Sequence, residues 1–186
     1  TTFTLTVSKG GSADGTITPT GINCGSDCSE SYNSGTSVTL TASASTGSSF
    51  KGWSGGGCSG TGTCTVTVNA DTSVKATFSK TYTDDPITLQ STPIKAVHVT
   101  ELRQAINTLR SNNSLSTFSF TDSTLTAGTT QMKALHITEL RSALNGVYTA
   151  KGLTQPTYTD STISAGQTTI KKAHIAEVRS NVKAVE

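Results

Sequence analysis

Apolar residues alternate with threonine and serine from the start of the chain: Phe3, Leu5 and Val7 are separated by Thr4 and Thr6. A period of two is the pattern of a half-buried strand. Lys9-Gly10-Gly11 reads as the turn that ends it. A second short strand is expected at 15–18, and the alternation returns in 37–42 (SVTLTA), 64–68 (CTVTV) and 73–78 (SVKATF), with Gly, Ser, Asn and Asp between the runs. Short, regularly spaced strands of this kind predict a small antiparallel β domain. Its expected core is Phe3, Leu5, Val7, Ile17, Val38, Leu40, Phe50, Trp53, Val66, Val68, Val74 and Phe78.

Beyond residue 80 the period changes to that of a helix, and one pattern is written three times. IKAVHVTELR at 94–103, MKALHITELR at 132–141 and IKKAHIAEVR at 170–179 lie 38 residues apart. Self-similarity at such a period marks an array of supersecondary units. Ile94, Val97, Leu102, Ala105, Ile106 and Leu109 form an apolar stripe at helical spacing, and Met132, Leu135, Leu140, Ala143, Leu144 and Val147 repeat it. Helices are expected over about 93–111, 131–150 and 169–185, with Thr92, Thr130 and Thr168 as N-caps and Pro93 at the first helical position. Each repeat is headed by an aromatic and Thr-Asp: Tyr82-Thr83-Asp84, Phe120-Thr121-Asp122 and Tyr158-Thr159-Asp160.

A helix with one apolar face is not stable alone, so the three are expected to bury their stripes against one another, with the head aromatics as spacers. The repeats run 82–119, 120–157 and 158–186. The third lacks the trailing segment that the others carry at 115–119 and 153–157. Either the array ends there or another chain completes it. The expected fold class is therefore α+β in two domains, a β module over 1–80 and a three-helix repeat array over 81–186.

Composition supports a division near residue 80: all four cysteines fall before it and all three histidines after it. A net charge of +2, from 14 basic and 12 acidic side chains, gives no electrostatic basis for binding nucleic acid or an anionic membrane. No apolar run approaches the roughly 20 residues of a membrane span, so no insertion is expected. The chain begins at Thr1 without a leader, which predicts a processed mature form. Cysteines in closely spaced pairs, with no other ligand nearby, predict an oxidising, extracellular or cell-surface location.

A core this small needs staples, which gives the cysteines a structural task. Of the three connectivities, local pairing of Cys24 with Cys28 and of Cys58 with Cys64 is preferred, each bond contributing about 2–3 kcal/mol. A redox or zinc site is disfavoured, because redox pairs prefer a two-residue spacing at a helix start and zinc needs further ligands.

The features Cys24-Gly25 with Cys28, Tyr32, Gly35-Thr36 before a strand, Phe50 with Gly52-Trp53, Cys58, Cys64 and the closing run Val74 to Phe78 cover nearly all of 1–80. In them the segment resembles the divergent internalin B-type repeats of bacterial surface proteins. The resemblance implies a β-grasp-like module of secreted and surface-attached proteins, used as a spacer or adhesive unit, with no catalytic residues. The 38-residue repeats resemble C-terminal arrays of secreted bacterial proteins, a likeness that implies no activity.

Two features invite a functional reading. Trp53, the one tryptophan, offers a possible ligand contact by sugar stacking, although beside Phe50 on a strand it fits the core better. The repeated His-x-x-Glu, His98 with Glu101, His136 with Glu139 and His174 with Glu177, shares a helix face and could present metal ligands. The structural alternative is preferred: a half-buried imidazole bonded to Asp84 or Glu101, with Arg103, Arg141 and Arg179 pairing with the Asp of a repeat head. These nine residues are thus assigned to repeat junctions, with no metal and no cofactor expected.

Motifs for catalysis are missing: there is no Gly-x-Ser-x-Gly, phosphate-binding Gly-rich loop, His-Glu-x-x-His or Cys-x-x-Cys-His. The expected function is non-catalytic, an extracellular structural or interaction protein that self-associates into a filament or surface layer. The alternative is an adhesion module of a larger secreted protein that binds polysaccharide or another cell-surface component.

Overall fold

The computed structural model describes residues 1–19, 22, 28–88 and 93–186, which fall into two compact units, Thr1–Ser79 and Lys80–Glu186. In the first unit seven strands form, β1 (Thr2–Gly11), β2 (Gly15–Thr18), β3 (Ser29–Asn33), β4 (Thr36–Ala44), β5 (Ser48–Ser54), β6 (Cys64–Val68) and β7 (Thr72–Lys80). They make a four-stranded sheet in the order β3-β1-β7-β5 and a three-stranded sheet in the order β2-β4-β6.

The expectation of a purely antiparallel region needs correction. β1 and β7 run parallel, with Val7 opposite Val74 and Gly11 opposite Phe78, while β1–β3, β2–β4 and β4–β6 are antiparallel. The five intervening strands supply the long connection that a parallel pair requires. Lys9-Gly10-Gly11 is not a turn either, since β1 continues through it. These glycines admit close backbone approach: a Cβ on Gly11, whose φ is +96°, would stand 2.0 Å from the Phe78 carbonyl oxygen. The β3 strand (SESYN) was invisible to the hydrophobic pattern because it is an edge strand with polar residues on both faces.

Leu5, Val7, Ile17, Val38, Leu40, Val66, Val68, Val74 and Phe78 are buried, joined by Ala13, Ile22 and Ala76; Phe3 and Phe50 are half-buried against them. A disulfide joins Cys58 to Cys64 across a Cα separation of 5.7 Å. The expected Cys24–Cys28 bond falls on Cys24, outside the described residues.

The second unit consists of α1 (Ala96–Asn112), α2 (Ala134–Ala150) and α3 (Lys172–Lys183) with their heads and connecting segments. All three helices start later than expected, with Lys95, Lys133 and Lys171 as N-caps. Thr130 and Thr168 are not caps: their hydroxyls accept the backbone N–H groups of Thr126 and Ser164 and close the preceding turn. Thr92 lies outside the described residues.

Val99, Leu102, Ile106 and Leu109 of α1 form one core with Ile137, Leu140, Leu144 and Val147 of α2 and Ile175, Val178 and Val182 of α3. Of the expected stripe, Leu102, Ala105, Ile106 and Leu109 and their counterparts Leu140, Ala143, Leu144 and Val147 are buried, and Ile94 and Met132 are half-buried against them. Val97 and Leu135 are exposed, at 38% and 43%, while His98, Arg103 and their equivalents point inward. His98, expected half-buried at the edge of the stripe, is fully buried, and Val99 beside it is inside where Val97 had been expected. Among the described residues no helix is long and apolar enough to cross a membrane.

Candidate functional site

The repeated polar residues meet at each repeat head, and the chain turns sharply to bring them together. Asp84, Asp122 and Asp160 all have φ near +50°, the left-handed conformation that Asp tolerates better than most residues. This turn aims each carboxylate at the first turn of the following helix. Asp84 Oδ2 accepts from His98 Nε2 at 3.0 Å and from Lys95 Nζ at 2.7 Å. Asp122 does the same with His136 and Lys133, and Asp160 with His174 and Lys171.

The other ring nitrogen is committed as well. The backbone N–H of Lys95 donates to His98 Nδ1 at 3.2 Å, and Lys133 and Lys171 repeat the contact with His136 and His174. Histidine at the third helical position thus does what Glu or Gln does in a capping box, satisfying the N-cap N–H. An acceptor at Nδ1 places the ring proton on Nε2, which donates to the Asp. Each imidazole is neutral, fully buried and hydrogen-bonded at both nitrogens, with no lone pair left to ligate a metal. Among the described residues no group of three or more His, Cys, Asp or Glu is placed to hold an ion.

Arginine and glutamate connect one repeat to the next. Arg103 donates from Nη1 and Nη2 to the carbonyls of Asp122 and Thr121, both at 2.8 Å, and its guanidinium lies over the Phe120 ring. The backbone of the head is therefore its partner, where the Asp carboxylate had been expected. Glu139 in turn accepts from the N–H and hydroxyl of Thr121 and stands 3.9 Å from Arg103. Arg141 repeats the arrangement on Thr159, Asp160, Tyr158 and Glu177.

Arg179, in the last repeat, reaches back to the first. It donates to the carbonyls of Thr83 at 2.9 Å and Asp84 at 3.0 Å, covers the Tyr82 ring and stands 3.6 Å from Glu101. Glu101 accepts from Thr83. The three repeats thus form a closed ring rather than an open array, and the third repeat is not left waiting for a neighbour.

Burial and charge act as this packing dictates. Lys95 first, then His98, hold the Asp84 carboxyl below its ordinary value, and the equivalent partners do so for Asp122 and Asp160. Burial lowers the pKa of Arg103, Arg141 and Arg179. Among the described residues the Nε of each has no hydrogen-bond partner, and the aromatic ring beneath the guanidinium is its compensation. Burial chiefly pushes the Tyr158 hydroxyl up to about 12.

Trp53 sits apart from this system, within the β core. It is 5% exposed, its Nε1 donates to the Gly62 carbonyl at 2.7 Å, and its ring meets Phe50 edge-on at 5.1 Å. Gly52, at φ +137°, breaks the strand alternation, so Phe50 and Trp53 turn to the same side despite their odd spacing. The exposed ring face that sugar stacking requires is not present.

Comparison of the chain with curated proteins and with solved structures finds no significant match. Residues 3–82, which span the β unit, are similar to the family described as the divergent InlB B-repeat domain.

Proposed function

We propose that this chain is a non-catalytic, extracellular interaction module that works at a bacterial surface. The observation that carries this reading is the use to which the repeated polar residues are put. The His, Asp, Arg and Glu of all three repeats are spent on capping helices and fastening heads, including the bond from Arg179 back to Asp84. The family match over 3–82 supports a surface role.

Of the two versions of this role, adhesion is favoured over self-assembly into a filament. The contact that an unfinished third repeat was to offer a neighbour is made within the chain. What remains for assembly is strand pairing at a sheet edge such as β3. The test is light scattering of the purified chain over a wide concentration range, followed by a pull-down with bacterial cell envelopes. A monomer retained by envelopes is the expected result. Ordered polymers would replace adhesion by self-assembly, and a monomer with no affinity for any envelope would remove the surface role.

A further inference from the structure

We infer that the cleft along α2, between the second and third repeats, binds an uncharged oligosaccharide segment; this builds on the surface-interaction reading. The closed ring has three equivalent grooves, each between the outer face of one helix and the head of the next repeat. Two of them are filled by the protein itself. In the first, Phe118 packs on Phe120 with centroids 4.9 Å apart. Asn107 holds Phe118 in place through both of its backbone groups, accepting its N–H at 2.7 Å and donating to its carbonyl at 3.2 Å. In the third, the Lys183–Asp85 ion pair crosses at 2.6 Å and leaves a cleft of about 210 Å³.

The second groove has neither plug. Pro156 stands 38 residues after Phe118, and without an N–H it cannot be clamped by Asn145, the equivalent of Asn107. The Asn145 Oδ1 instead accepts from the Tyr158 hydroxyl at 3.0 Å. Where the third groove pairs Lys183 with Asp85, the second has Asn145 and Ser161, so that crossing ion pair has no counterpart here. The result is a cleft of about 640 Å³, lined along α2 from Thr138 to Ala150. Those twelve steps at 1.5 Å per residue span roughly 18 Å.

Its chemistry selects the ligand. The cleft presents Ser142, Asn145, Gln155 and Ser161, hydroxyls and amides that both donate and accept. Neither Ser142 nor Ser161 finds a side-chain partner among the described residues, and Asn145 Nδ2 has none either. Arg141 also lines the cleft, but its charge is spent on the Thr159 and Asp160 carbonyls and on Glu177 at 3.7 Å. Among the residues lining the cleft, Arg141 carries the one charge, and the rest of the lining is neutral. Leu115 and Ala150 supply apolar patches for the C–H faces of a sugar, whose hydroxyls donate and accept as the lining does.

The experiment is an NMR titration of the isotope-labelled full chain with maltohexaose, cellohexaose and chitohexaose in turn. The expected result is saturable shifts at Ser142, Asn145, Gln155 and Ser161 with at least one of the three, and no comparable response around Lys183 and Asp85. Pro156→Phe, which copies the plug of the first groove, should weaken binding by at least about tenfold with unchanged helical circular dichroism. Asn145→Leu should do the same and stands as the deciding variant if Pro156→Phe does not fold. Absence of saturable shifts with all three probes, shifts located elsewhere, or full affinity in Asn145→Leu would each overturn the assignment. A chain that still binds envelopes while the cleft stays silent would lose this inference alone; failure to bind envelopes would instead remove the surface role.

Discussion

The β unit ties the loop between β5 and β6 with the Cys58–Cys64 bond and uses glycine where strands crowd together, as at Gly11 against Phe78. The helical unit contains no cysteine and fastens three copies of one motif by the same four side chains in each. Both have small cores, but the first is held by a local covalent link and the second by cyclic repetition. In the β unit, damage should therefore stay near the damaged loop. In the helical unit, a break at any one junction opens the ring.

The largest effect expected from a single side chain follows from closure. Arg179→Met leaves Glu101 and the Thr83 and Asp84 carbonyls without their cation, and should cost about 3 kcal/mol, on the scale of breaking a hydrogen-bonded buried pair. Arg103→Met should cost the same, because a ring has no terminal junction. Thermal melts of the two variants, followed by helical circular dichroism, check this equality. An open array predicts a full loss for Arg103→Met and almost none for Arg179→Met, which would refute the ring.

The covalent link comes next. A double Cys58→Ser/Cys64→Ser variant frees a short loop and should lower the stability of the β unit by about 2 kcal/mol in the chain-entropy model. The fluorescence of Trp53, whose strand neighbours that loop, should report an earlier transition, while the helical signal stays in place. A helical transition that shifts by as much would erase the contrast between the units.

How far these contrasts could be read from sequence depends on what each residue type reveals alone. Alternation located β1, β2, β4, β6 and β7, because a half-buried strand writes its two faces into the chain. It missed β3, whose residues are polar on both faces, and it gave no sign that β1 and β7 run parallel. The 38-residue period located the three helices and most of their inner face, but it put Val97 and Leu135 inside and left His98 and Arg103 too far out. His98 and Arg103 look polar in isolation, and only their partners, Asp84 and the second head, make burial affordable. The residues of the repeat junctions were named from recurrence, yet which groups they touch is a three-dimensional fact. The open cleft at Pro156 was equally hidden, since a proline for a phenylalanine gains meaning only after Asn107 is seen clamping Phe118.

Histidine substitution gives a smaller effect and sharpens the argument for equivalence. Replacing His98, His136 or His174 with Gln removes a buried group bonded at two nitrogens, and each should cost about 1–2 kcal/mol. In a ring, His174 should behave like the others, with no relief from its place in the final repeat. Added zinc, nickel or manganese should leave the melting temperature unchanged, because the lone pair of Nδ1 is already occupied. Metal-dependent stabilisation that disappears in the Gln variants would reverse this.

The smallest effect per site is in acid. Asp84, Asp122 and Asp160 each have a folded pKa below the ordinary 3.8, held down by their lysine and then their histidine. A depressed pKa means that the unfolded chain binds protons first, so the stabilisation is complete above the ordinary value and is lost as pH falls through the folded one. The β unit has Asp14 lowered in this way by Lys9, against three carboxylates in the helical unit. Acidification below the ordinary carboxylate range should therefore lower the helical melting temperature more than the Trp53 transition. Replacing all three Asp residues with Asn should flatten that dependence without distorting the heads, because Asn tolerates φ near +50° and can still accept the Nε2–H of the histidine. Equal acid sensitivity of the two signals, or an unchanged slope in the triple Asn variant, would show that the repeat-head carboxylates are not what distinguishes the helical unit in acid.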